Sequence, residues 1–275
     1  MSPSSRYHGG RTIVEGETMA IIFFDIDGTL AEGRKVPESA AAAVARTRAA
    51  GNLVFICTGR PRGYAESAFG AYADGFVCCN GRLAVRGDKR VIERPITPEQ
   101  VETICGILDE LDAGYAFFGE DALYYGGNSC YRQLATDVHG GVLECFDLER
   151  ARETNAHLFS FDVYFADASD RAAITEALGD LCLVNPHGPH PSADVTVLGY
   201  GKGDAVRDVA AALGIAHEDT YAFGDGINDL SMIETVAHGV AMGNGVDEIK
   251  AAAEYVTSDI HDEGVARGLA HYGLA

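Results

Sequence analysis

Phe24-Asp25-Ile26-Asp27-Gly28-Thr29-Leu30 follows directly on the apolar run Ala20 to Phe23. Two carboxylates two residues apart, at the end of a strand that reads as fully buried, need a counter-ion or must raise each other's proton affinity. A divalent cation with oxygen ligands meets that need. Side chains at i and i+2 along a strand project to one side, so both acids can face one site. An ordinary Asp-Gly turn closing the strand is the competing reading, and later segments weigh against it.

Working outward, the strand at Ile21 to Asp25 is followed by an Ala-rich helix over 37–50 and a second apolar strand at Leu53 to Cys57. Pro37 near the helix start and Gly51 past its end are regular start and stop signals. This is a βαβ unit, with parallel strands. A helix near 62–73 leads to the apolar run Phe76 to Cys79, which Asn80-Gly81 ends. From Arg82 the pattern changes to hairpins and helices. Gly87-Asp88 sits between two short strands, a helix covers 98–111, and alternating strands stand near 115–118, 122–125, 160–165, 181–184 and 194–198. Parallel order resumes after Gly201. The predicted architecture is α/β: a doubly wound parallel-sheet (Rossmann-like) core over 19–81 and 196–275, with an α+β cap over 82–195 inserted between its halves. Residues 1–18, polar and Gly-containing, read as a flexible extension without the apolar stretch of a signal peptide.

Composition narrows the partners. The chain of 275 residues has 47% hydrophobic residues, enough for a large core, and a formal net charge of −20. Nucleic acid is excluded as a partner, because its phosphates are held by an excess of Lys and Arg. An anionic small molecule would need locally concentrated positive charge. Seven cysteines in no metal-type spacing suit a reducing, cytoplasmic setting. No uncharged apolar run approaches the roughly 18 residues of a membrane span.

Three further segments sit at strand ends. Thr58-Gly59-Arg60 follows the Leu53 to Cys57 strand, where a hydroxyl and free N–H groups can receive an oxyanion. Gly201-Lys202-Gly203 precedes an amphipathic helix. Phe223-Gly224-Asp225-Gly226-Ile227-Asn228-Asp229 again ends a strand in an acid, and a helix starts at once. Helix capping accounts for one acid there, but not for two acids, an amide and two glycines. In open α/β sheets the ligand crevice lies at such carboxyl ends.

Together, Asp25-Ile26-Asp27-Gly28-Thr29, Thr58, Lys202 and Gly224-Asp225-Gly226-Ile227-Asn228-Asp229, in that order, resemble the four signature segments of the haloacid dehalogenase-like superfamily. The large block between Thr58 and Lys202, with Thr58-Gly59-Arg60-Pro61 and Asn80-Gly81, is similar to Cof-type phosphatases with a type IIB cap. The resemblance implies Asp25 as the nucleophile that becomes an aspartyl-phosphate and Asp27 as the general acid/base. Thr58, Gly59, Lys202 and Asn228 would bind the phosphoryl group. Mg²⁺ would be held by Asp25, the main-chain carbonyl of Asp27, and Asp225, with Asp229 organising the surroundings. The implied substrate is a small phosphorylated metabolite, such as a sugar phosphate. Two rivals share the segments: a phosphomutase of the phosphomannomutase type, and a non-catalytic phosphosugar sensor, against which the intact acids argue. For substrate contacts, Arg60 and Arg62 rank above the cap residues Tyr124, Tyr125, Asn128 and Arg132. His187 and His190, in a Pro/Gly-rich loop, read as loop residues rather than metal ligands, and His139 as a packing or surface residue. The two linkers expected to absorb cap motion are Asn80-Gly81 and Gly199-Tyr200-Gly201.

Overall fold

A computed structural model describes residues 6–8, 11–13, 19–138, 142–188 and 190–275. Its centre is a sheet of eight strands. In spatial order they are Tyr255–Val256, His238–Ala241, Thr220–Gly224, Ile21–Phe24, Leu53–Cys57, Gly75–Cys78, Leu83–Arg86 and Lys89–Glu93. The first six run parallel, Leu83–Arg86 runs against them, and Lys89–Glu93 pairs antiparallel to Leu83–Arg86. Every side chain of Ile21–Phe24 and Leu53–Cys57 is buried, as expected for strands covered on both faces.

Alternation along those strands builds two cores. Ile22, Phe24, Val54 and Ile56 pack with Ala43, Val44, Ala65, Phe69 and Leu269, from the helices Glu38–Ala49, Arg62–Phe69 and Gly264–His271. Ile21, Phe23, Phe55 and Cys57 face the other way, onto Val206, Val209 and Ile233 of the helices Lys202–Leu213 and Leu230–Thr235. Burying each such side chain stabilises by roughly 1.5–3 kcal/mol. Neither face can be exposed without losing several of them.

The strand Ile21–Phe24 lies between Leu53–Cys57 and Thr220–Gly224, with Phe24 in register with Ile56 and with Phe223. Sequence order departs in opposite directions from this strand. It is the switch point at which doubly wound sheets open a crevice. Asp25, Thr58 and Asp225 each follow one of these three strands at its carboxyl end.

A second sheet has the order Glu144–Asp147, Ala122–Gly127, Gly114–Phe118, Ser160–Tyr164, Ser192–Val197, Cys182–Pro186. Its pairings are antiparallel except the first. Ile104, Leu108, Phe117, Phe161, Val163, Ile174 and Val195 form its own core with the helices Pro98–Glu110 and Ala168–Leu178. The first of these helices opens on a reciprocal cap: Gln100 N–H donates to Thr97 Oγ1, and Thr97 N–H to Gln100 Oε1.

The boundaries of this inserted layer differ from 82–195. Leu83–Arg86 and Lys89–Glu93 extend the first sheet, since Leu83 and Val85 belong to one core face and Ile92 to the other. The hairpin covers what would otherwise be a long bare edge at Gly75–Cys78. At the other end, Ser192–Val197 belongs entirely to the second sheet. The chain therefore leaves the core after Glu93 and returns after Val197, so Asn80-Gly81 is not a crossing point. In the region read as a flexible extension, Arg6–His8 and Arg11–Ile13 pair antiparallel; residues 1–5, 9–10 and 14–18 lie outside the described residues, as does His139.

Candidate active site

The loop after Ile21–Phe24 turns back at Gly28, whose φ of +84° suits glycine. A Cβ there would stand 2.3 Å from Asp225 Oδ2, so the turn also needs glycine for room. Next to it, Thr29 Oγ1 donates to Asp225 Oδ1 at 2.8 Å. This bond fixes the first acidic segment against the last, across 196 residues of sequence.

Lys202, fully buried at the start of its helix, joins the other two acids. Its Nζ donates to Asp25 Oδ1 at 2.6 Å and to Asp229 Oδ1 at 2.6 Å. The second oxygen of Asp229 accepts from the N–H groups of Asp225 and Gly226, each at 3.1 Å. Both Asp229 oxygens are thus engaged by protein donors, while Asp25 has one oxygen held by Lys202. Carboxylate oxygens of Asp25, Asp225 and Asp229 lie within 4.8 Å of one another.

Burial first, then the charge of Asp229, pushes the Asp25 carboxyl well above the usual carboxylate range, against the pull of Lys202. Burial alone would lower Lys202. Asp229 and Asp25 more than offset that and hold the ammonium charged. Burial likewise raises Asp225 to about 6, opposed by its bond from Thr29 and reinforced by Asp229. These acids are short of positive charge. An oxygen-only donor set that raises its own proton affinity fits a hard divalent cation such as Mg²⁺.

On the other side, Thr58 is buried and its Oγ1 accepts from the Arg60 N–H at 3.1 Å. The Arg60 side chain reaches back, with Nε donating to Asp27 Oδ2 at 3.2 Å and its guanidinium 5.2 Å from the ring centre of Tyr64. A cavity of about 370 Å³ opens over these groups, lined by Asp25, Asp27, Thr58, Gly59, Arg60 and Asp225 from the first sheet. Gly226 and Asn228 also line it, and Lys202 stands behind Asp25. Phe118, Asp162, Asn185, Pro186, His187 and Asp194 form its roof from the second sheet.

Most of the residues singled out in the sequence therefore come together. Arg62 does not line the cavity. Two residues after Arg60 it already lies in a helix, where Nε pairs with Glu66 and Nη1 with Glu120, each at 2.8 Å. Tyr124, Tyr125, Asn128 and Arg132 do not line it either: the two tyrosines lie on the strand Ala122–Gly127, Asn128 follows that strand, and Arg132 begins the helix Arg132–Val138. The residues that do form the roof went unnamed, except His187. Their signal was an acid inside an apolar alternation, in Ser160-Phe161-Asp162-Val163 and Ser192-Ala193-Asp194-Val195.

Residues 22–269 match the family of haloacid dehalogenase-like hydrolases, and the chain belongs to that family. It is an enzyme of the family's Cof-type phosphatase branch, with a type IIB cap formed by the second sheet and its helices. The chain is 31% identical to YkrA of Bacillus subtilis (strain 168) over 266 residues, covering 92% of this chain and 98% of that protein. It is 28% identical over 265 residues to the pyridoxal phosphate phosphatase YbhA of Escherichia coli (strain K12), covering 91% and 97%. Among solved structures, the subclass IIB sugar phosphatase BT4131 superposes with a TM-score of 0.78 at 28% identity, over 94% of this chain and 100% of that one. No helix among the described residues is long and apolar enough to cross a membrane.

Proposed function

We propose that this chain is a Mg²⁺-dependent, cytoplasmic phosphatase that hydrolyses small phosphate monoesters through an aspartyl-phosphate on Asp25. The observation that carries the reading is the position of Asp25. Lys202 fixes one of its oxygens from the buried side, while the residue itself lines a cavity shared with Thr58, Asp225 and Asn228.

A carboxylate attacks a phosphate dianion poorly, because both are negative. Asp25, the main-chain carbonyl of Asp27, and Asp225 would hold Mg²⁺, which would screen that repulsion and polarise the phosphoryl oxygens. The Thr58 hydroxyl, the N–H groups near Gly59, the Asn228 amide and the Lys202 ammonium supply donors for the equatorial oxygens in the transition state. Asp229 keeps Lys202 and the Asp225–Gly226 backbone in position.

In the first step an Asp25 oxygen bonds to phosphorus, the ester P–O bond breaks, and protonated Asp27 gives its proton to the departing alkoxide. In the second, the Asp27 carboxylate takes a proton from water as the water oxygen bonds to phosphorus. The P–O bond to Asp25 then breaks, giving inorganic phosphate and restoring both side chains. Arg60, bonded to Asp27, holds that carboxylate at the cavity rim and is the basic residue best placed to touch substrate. We assign the core to the first sheet with its helices, and the mobile cap to the segment between Glu93 and Leu198.

Release of inorganic phosphate from a broad panel of phosphorylated metabolites tests the reading. Turnover with Mg²⁺, abolished by chelation, is the expected result. Failure of every phosphoryl compound under every divalent metal would overturn it.

A further inference from the structure

Three polar residues sit side by side across three strands of the cap sheet. Asp194 is in register with Asp162 on one neighbouring strand and with Asn185 on the other. Their apolar neighbours in sequence, Phe161, Val163 and Val195, pack into the cap's own core, so the row occupies the opposite face. All three residues line the cavity above Asp25.

The row is costly to keep. Asp162 and Asp194 are 2% and 9% exposed, and like charges directly across two strands destabilise a sheet. Burial and then the charge of Asp162 push the Asp194 carboxyl up. Among the bonds to the row, Asn80 Nδ2 donates to Asp194 Oδ2 at 2.7 Å, and the Tyr164 hydroxyl to Asp162 Oδ2 at 3.4 Å. Asn185 supplies the second observation. Its Nδ2 is buried and has no hydrogen-bond partner among the described residues, although buried amides nearly always have one.

We propose that the row Asp162–Asp194–Asn185 is the seat of the leaving group, and that it selects phosphate esters whose alcohol part is neutral or cationic and rich in hydroxyl or amine donors. The inference rests on the phosphatase reading of the same cavity. Two carboxylates accept from hydroxyls or an ammonium, and the Asn185 amide donates to a hydroxyl oxygen. A substrate with a second anionic group at its far end would bring that charge against two buried acids. Among the described lining residues Arg60 is the only arginine or lysine, and its charge is already taken up by its bond to Asp27 and by the nearby Asp162. Sites with buried polar groups reject ligands that leave those groups unpaired or meet them with like charge.

A matched pair of open-chain esters tests this: glucitol 6-phosphate, and 6-phosphogluconate, which differs by a carboxylate in place of the terminal CH₂OH. With wild-type enzyme and Mg²⁺, kcat/KM should favour glucitol 6-phosphate by at least about 100-fold. In Asp194→Asn, or in Asp162→Asn if the first does not fold, the ratio should shrink by about tenfold or more. Calorimetric binding of both esters to metal-free wild-type protein, which needs no turnover, separates the two readings. Preferential binding of glucitol 6-phosphate by the metal-free protein, together with no hydrolysis of any phosphoryl compound once Mg²⁺ is added, would sink the phosphatase reading and leave the row's role standing. Equal affinities, or a wild-type preference that survives in a folded variant, would overturn the role of the row.

Discussion

The guanidinium of Arg94 lies over the ring of Tyr200, 4.3 Å from its centre, and this contact ties together the two points where the chain passes between core and cap. Arg94 immediately follows the last core strand, and Tyr200 immediately precedes Gly201 and the Lys202 helix. An exposed cation–π pair contributes about 0.5–1 kcal/mol. Arg94→Ala should therefore barely move global stability but widen the range of cap angles. We expect KM and kcat to change together, with a larger spread of cap positions in solution scattering. An unchanged KM and unchanged scattering would rule out a hinge at this contact.

The two acids of the first segment should separate cleanly. Asp25→Asn removes the nucleophile, so turnover should fall to background with no phosphoprotein. Asp27→Asn keeps the nucleophile but loses the base for the second step, lowering turnover by about 10²–10⁴-fold. With an aryl phosphate, whose leaving group needs little acid help, mass spectrometry of rapidly quenched Asp27→Asn should show a phosphate adduct on Asp25. Normal turnover in either variant would mean that the roles are misassigned.

Lys202→Met leaves Asp25 and Asp229 buried without their shared cation. Breaking a buried pair in this way costs about 3–5 kcal/mol. Chemical denaturation of metal-free protein should show a loss of that size near neutral pH. Without the lysine the Asp25 carboxyl, already raised by burial, is raised further, so in the folded variant it binds its proton more tightly than in the unfolded chain. Stability of the variant is then lost as pH rises, and its gap to wild type should narrow on acidification. A gap that is constant with pH would count against the pairing.

Metal binding should compete with protons at Asp225. Its carboxyl, raised to about 6, is protonated below that pH in metal-free protein and must lose the proton to ligate. Affinity for Mg²⁺ should be flat above about pH 7 and fall by up to about tenfold per pH unit below 6, more steeply where Asp25 also carries a proton. Calorimetry from pH 5 to 8 checks this, and an affinity independent of pH would refute it.

Gly28→Ala tests the fit of the two acidic segments. The added methyl would stand 2.3 Å from Asp225 Oδ2, in a backbone conformation that favours glycine. Asp225 should be displaced and its bond from Thr29 broken, weakening Mg²⁺ binding more than it weakens the fold. Metal titration beside thermal melting distinguishes this from simple destabilisation: equal effects on both, or none, would remove Gly28 from the site.

Much of the core was legible because parallel strands buried on both faces leave continuous apolar runs, and each run ends in the residue that chemistry uses. Asp25, Thr58 and Asp225 could be read in this way. Lys202 could be read only through the pattern of segments, since a lone lysine between glycines says nothing of its burial. The cap boundary was misplaced because hairpin residues such as Leu83 and Ile92 carry the same alternation whichever sheet they join. Arg62 was ranked beside Arg60 by proximity in sequence, but a helix begins between them and turns it toward Glu66 and Glu120. The roof residues escaped because Asp162, Asp194 and Asn185 are far apart in sequence and meet only through strand register.

The placement of Ile21–Phe24 against Thr220–Gly224 also governs when this protein can come into being. Contacts between segments some two hundred residues apart close late, because a long loop must be ordered before they reward it. On the ribosome, the cap can fold on local pairings while the strand carrying Asp25 still lacks one of its neighbours. A chain interrupted between Val197 and Asp229 would therefore have a roof and half a floor, with Asp25 beside no assembled cation site. Hydrolytic competence should appear only after the segment through Asp229 has been made, all at once.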